Sequence, residues 1–92
     1  MQILRNQISP TLPMHLVGVR KGYKFLRFGC EKGMNYMYTL EDCSADVIFL
    51  ELRFHRTGDA MDVEELSDFK YLGSFNECST KEMIHVYMKE RL

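Results

Sequence analysis

The sequence predicts an α+β fold: an antiparallel β-meander of four to six strands with a C-terminal amphipathic helix packed on one face, all within a single domain spanning residues 1–92. Three observations predict it. Short apolar runs with period-two alternation recur between turn-forming residues. Residues 79–92 carry a helix-capping pattern and an apolar stripe at helical spacing. No strand–helix–strand alternation occurs, so a doubly wound parallel sheet is not expected.

Residues 2–8 suit a short edge strand, and Pro10 and Pro13 interrupt it by removing two backbone donors. Residues 14–20 read as a strand, Lys21-Gly22 as a hairpin tip, and residues 23–30 as the partner strand. Residues 31–34 form a second turn and residues 35–40 the next strand, followed by a polar, turn-like stretch over 41–46. Residues 47–55 are the strongest strand. Ile48, Leu50, Leu52 and Phe54 share one face, and Val47 and Phe49 make the other apolar at one end, which suits the middle of a sheet. Around residues 60–67 the pattern favours one helical turn with Asp62 as its cap. Residues 69–75 form a final strand. In residues 79–92, Ser79 and Glu82 make a capping box, Met83, Ile84, Tyr87 and Met88 make the stripe, and Lys81, His85 and Lys89 lie opposite.

Size bounds the function. A chain of 92 residues buries only about 60–65% of its extended surface and has a stability margin of roughly 5–10 kcal/mol. Little core can be surrendered to a deep catalytic cleft, so a surface site is expected. Hydrophobic residues at 46% and charged residues at 27% argue against disorder. Seven methionines fill core gaps and suit adaptable contacts. No targeting segment or membrane-spanning run is visible, and a cytoplasmic location is expected. Cys30, Cys43 and Cys78 are odd in number and widely spaced, so reduced thiols are the default, with one bridge left open.

Charge is uneven along the chain. Residues 1–34 hold six basic residues and one acid, net +5, and residues 35–92 hold six basic residues and twelve acids, net −6. Folding is expected to interleave the two halves.

Two surfaces follow as candidates. Residues 59–68 hold Asp59, Asp62, Glu64, Glu65 and Asp68 with no basic residue, a pattern suited to docking on a basic protein surface. It lacks the alternate carboxylates and central glycine of a calcium loop. Residues 20–28 interleave Arg20, Lys21, Lys24 and Arg27 with Tyr23, Phe25 and Phe28, the mixture that single-stranded nucleic acid requires. The plainer account of that stretch is that Phe25 or Phe28 is core and the cations solvate an edge.

No cofactor and no metal are expected. His15, His55, His85 and the three cysteines lack the close spacing of a zinc site. No Gly-x-Ser-x-Gly, His-Glu-x-x-His, phosphate-loop or dinucleotide pattern is present, and Cys78 ahead of a helix start is the one thiol with a route to activation. The sequence therefore favours a small non-enzymatic protein-interaction module, an adaptor, regulator or inhibitor acting by occlusion. The size class alone suggests a phage or mobile-element origin. Nucleic-acid binding through residues 20–28 is the alternative, and a homodimer is a further arrangement.

Overall fold

A computed structural model describes residues 1–91. They form β1 (Gln2–Ile8), β2 (Met14–Arg20), β3 (Lys24–Glu31), β4 (Met34–Glu41), β5 (Val47–Arg56), β6 (Lys70–Asn76) and β7 (Met83–Arg91). These seven strands build two antiparallel sheets, one in the order β1-β4-β3 and the other in the order β2-β5-β7-β6. The α+β expectation is thereby overturned. The described residues contain no helix, and the architecture is an all-β sandwich.

The error lies in residues 83–91. Ile84 and Met88 recur at helical spacing, but Ile84, Val86 and Met88 also alternate at period two. A short apolar run fits both periods. The β-branched and aromatic residues Ile84, Val86 and Tyr87 suit a pleated surface, and β7 sits between β5 and β6 with Ile84 and Val86 fully buried. The apparent capping box is a turn. The buried Glu77 carboxylate accepts hydrogen bonds from Thr80 Oγ1 at 2.8 Å and Ser79 Oγ at 3.3 Å. Glu82 pairs instead with Arg56.

The meander is also corrected. β2 and β3 do not form a hairpin. The Lys21-Gly22 turn carries the chain from one sheet to the other, so β2 pairs with β5 and β3 with β4. The β3–β4 connection is a tight hairpin, and Lys32 and Gly33 both take positive φ there (51° and 78°), the two-residue geometry that matches strand twist. The single turn expected near Asp62 is present: the Leu66 amide donates to the Asp62 carbonyl at 3.3 Å, and Asp62 Oδ1 caps it by accepting the Glu64 amide at 3.0 Å, but the chain does not continue as a helix.

Inward residues from both sheets make one core: Ile8 from β1, Val17 and Val19 from β2, Met37 from β4, Leu50, Leu52 and Phe54 from β5, and Ile84 and Val86 from β7. Phe25 and Phe28 of β3 close it against Phe75 of β6, with the Phe28 and Phe75 rings 4.8 Å apart. β5 lies between β2 and β7, the interior position expected of it.

Buried polar groups staple the layers where hydrophobic contact ends. Glu41 of β4 accepts the Arg20 amide of β2 at 2.7 Å and also pairs with the Thr39 hydroxyl. Asn35 of β4 accepts the Cys78 amide at 2.9 Å. Beside it, Cys30 at the end of β3 and Cys78 in the β6–β7 turn form a disulfide with Cα atoms 5.8 Å apart. The expectation of three reduced thiols is corrected accordingly. The register brings together two cysteines separated by 48 residues, which spacing alone could not reveal.

Candidate interaction surfaces

The residues of the acidic segment fall together in the β5–β6 loop, every one of them exposed. Asp59 Oδ2 accepts the Arg56 amide at 2.8 Å, and Asp62 Oδ1 accepts the amides of Glu64 and Glu65. These local bonds hold the loop without neutralising it. Asp68 lies 3.8 Å from Lys89 Nζ. Glu64 and Glu65 make no ion pair among the described residues. Between the acids, Val63 is 80% exposed and Met61 is exposed beside it. The loop returns over the outer face of the four-stranded sheet, where the Phe69 ring lies 5.6 Å from the Arg53 guanidinium and 5.9 Å from Lys89 Nζ.

That outer face has its own ionic centre. Glu51 of β5 is buried and bonds Arg53 Nε and Arg91 Nη1, each at 2.6 Å. Burial pushes its carboxyl pKa up, but the hydrogen bonds and charges of Arg53 and Arg91 outweigh burial and leave it below the ordinary value. A carboxyl depressed in the folded state contributes stability that is complete above its unfolded pKa and lost as pH falls through the folded one. Glu51→Gln is therefore expected to lower stability at neutral pH by about 1–2 kcal/mol and to flatten the acid limb below roughly pH 4.5. Denaturant titrations of both proteins from neutral pH into acid check this. Parallel curves would refute it.

Residues 20–28 are dispersed by the fold. Phe25 points into the core and Tyr23 packs against it, its hydroxyl 3.3 Å from Met88 Sδ. Arg20 turns to the Ala45 carbonyl at 2.9 Å. Lys21 stands on the turn between sheets. Lys24 and Arg27 lie on the outer face of the three-stranded sheet, opposite Leu40 and Tyr38 of β4. The aromatic half of the expected platform is thus inside and the basic half outside.

The same register supplies aromatics that sequence reasoning missed. Tyr36 and Tyr38 of β4 share the outer face with Arg5 of β1 and Arg27 of β3, the Arg5 guanidinium 4.4 Å from the Tyr36 centroid and the Arg27 guanidinium 4.7 Å from that of Tyr38. The period-two spacing of Tyr36 and Tyr38 was a usable signal, but the neighbouring strands were not. Glu31 pairs with Arg5. Its carboxyl pKa is lowered by the approach of the Tyr38 hydroxyl and by Arg5.

The fold interleaves the two halves of the chain, as expected, with β4 between β1 and β3 and β5 beside β2. Within that arrangement Arg5, Lys24 and Arg27 gather on the outer face of one sheet, and the acidic loop returns beside the other.

The remaining features are shallow or scattered. A groove of about 620 Å³ runs between the free edges of β1 and β2, lined by Arg5, Asn6, Val19, Arg20 and Glu41 among others, with no cysteine or histidine on its walls. His15 lies half-buried on β2, whereas His55 and His85 lie on the outer face of β5 and β7, His85 bonded to Thr57 Oγ1 at 2.8 Å. Among the described residues no three His, Cys, Asp or Glu converge as metal ligands. Cys43 is an exposed free thiol. No helix among the described residues is long and apolar enough to cross a membrane.

The architecture is a seven-stranded, two-sheet antiparallel sandwich with an acidic loop over one layer and a basic face on the other. No family model matches the chain, and neither a curated protein nor a solved structure matches it.

Proposed function

We propose that this domain is a non-enzymatic protein-interaction module, an adaptor, regulator or inhibitor, that docks through the loop over residues 59–68. One observation carries the reading: Val63, 80% exposed, is followed directly by Glu64 and Glu65, which have no ion pair among the described residues. An exposed apolar side chain costs solvation in the free protein, and unpaired carboxylates steer association toward a surface of opposite charge. The combination fits a partner with a small apolar depression rimmed by lysine or arginine. The groove between the β1 and β2 edges is open and has no thiol or imidazole on its walls, which weighs toward binding rather than chemistry.

The test is affinity capture from nuclease-treated lysate of the native host. Glu64→Lys, Glu65→Lys and Asp68→Lys together are expected to abolish capture of a protein partner while the thermal melt stays within a few degrees. Undiminished capture by the triple variant would sink the proposal.

A second copy as that partner is the narrower reading. The exposed strip of Met14, Leu16, Val47 and Phe49 beside the free edge of β2 supports it. A monomer mass by light scattering at high concentration removes it. A cytoplasmic location belongs to the same proposal and depends on the thiols. Three titratable thiols in acid-quenched native protein fit the cytoplasm, and one fits an oxidising compartment.

A further inference from the structure

The outer face of the three-stranded sheet is built in rows. The register aligns Gln7, Tyr36 and Gly29 across β1, β4 and β3, then Arg5, Tyr38 and Arg27, then Ile3, Leu40 and Lys24. Lys32 stands exposed on the β3–β4 turn at the end of this sheet. Against these four cations stands one outward acid, Glu31, already paired with Arg5. Lys24, Arg27 and Lys32 make no ion pair among the described residues. A chain of net charge −1 has thus placed a surplus of positive charge on one flat face.

Gly29 makes that face flat. A Cβ there would lie 2.8 Å from Tyr38 Cε2 and 3.2 Å from Arg27 Nη1. Only a residue without a side chain lets the tyrosine ring and the guanidinium lie down across β3. Two tyrosines and two arginine planes then cover the sheet, and both kinds of plane accept stacked nucleobases.

We propose that this face binds single-stranded nucleic acid, with the phosphates tracking Lys24, Arg27 and Lys32 and the bases stacking on the layers that Arg5 forms over Tyr36 and Arg27 over Tyr38. Chemistry favours this occupant over an acidic protein because the tyrosine ring faces would add nothing to carboxylate recognition. It favours single strands over duplex because a flat sheet offers no element to enter a groove. β3 spans roughly 26 Å at about 3.3 Å per residue, room for about four nucleotides. The site is separate from the acidic loop, which lies over the other sheet, so either proposal can fail alone.

The experiment is fluorescence anisotropy with labelled oligo(dT) and oligo(U) of about fifteen nucleotides, with a duplex and polyglutamate as comparison ligands. Binding of either oligonucleotide at low salt is expected, with the logarithm of affinity falling against that of salt at a slope near −2 to −3, about 0.7 per phosphate contacted. Lys24→Glu with Arg27→Glu should weaken it at least tenfold, and Tyr36→Ala roughly tenfold. Tyr36→Leu keeps the packing volume while removing the ring, and should match Tyr36→Ala if stacking is responsible. The better-bound oligonucleotide identifies the sugar. The proposal is overturned by no binding of either strand, by equal affinity for duplex or polyglutamate, or by Tyr36→Leu binding like the native protein.

Discussion

Reducing the protein, or replacing Cys30 with serine, is expected to lower its stability by about 4 kcal/mol. The figure follows from the entropy that a cross-link removes from the unfolded chain when it closes a loop of 48 residues. Against a total margin of roughly 5–10 kcal/mol the loss is severe, and it corresponds to a fall in melting temperature of about 15–30 °C for a domain of this size. The bridge ties the end of β3, an edge of one sheet, to the turn between β6 and β7 in the other. Its loss frees the layers beside the Phe28–Phe75 contact and the Asn35–Cys78 hydrogen bond. Cys43→Ser, at an exposed thiol, should leave the melt unchanged. Thermal melts with and without reductant decide the matter. Coincident curves for the native protein would show that the bridge contributes nothing.

Val86→Asp is expected to unfold the protein, and Tyr87→Asp to cost only about 1 kcal/mol. Val86 is fully buried in β7 between β5 and β6, and an unpaired carboxylate there carries a desolvation penalty of several kcal/mol. Tyr87 projects to the outer face, where its ring meets those of Tyr71 and His55. The two substitutions separate strand from helix. On a helix carrying the Ile84–Tyr87–Met88 stripe, Tyr87 would be core and Val86 peripheral, so the order of damage would reverse. Circular dichroism and urea titration of the two variants read the difference. A folded Val86→Asp variant would contradict the placement of β7.

Those two predictions also mark where sequence reasoning reached its limit. Residues 2–8, 14–20, 47–55 and 69–75 were legible as strands, because alternating β-branched and aromatic residues bounded by proline and glycine leave few alternatives. Residues 83–91 were not, since Ile84 and Met88 satisfy both periods and Ser79 with Glu82 mimics a helix start. Only the buried Glu77, which takes the Ser79 and Thr80 hydroxyls, and Arg56, which takes Glu82, settle the local contest. Strand pairing was equally hidden. Lys21-Gly22 is a sound turn, but a turn does not say whether the chain doubles back beside its neighbour or crosses to another layer.

The surfaces divide in the same way. The acidic loop was visible because its charges are contiguous in sequence. The basic face was half visible, in Lys24 and Arg27. Its tyrosines belong to a strand ten residues later and its Arg5 to one twenty residues earlier, joined only by register.

The placement of β7 has a consequence for biosynthesis. Of the seven strands, β7 is synthesised after the two that it joins, so β5 and β6 each wait with an open edge until residues 83–91 emerge. Nascent chains halted before that point should be protease-sensitive and sticky, and a stop codon near residue 82 should abolish the fold instead of trimming it.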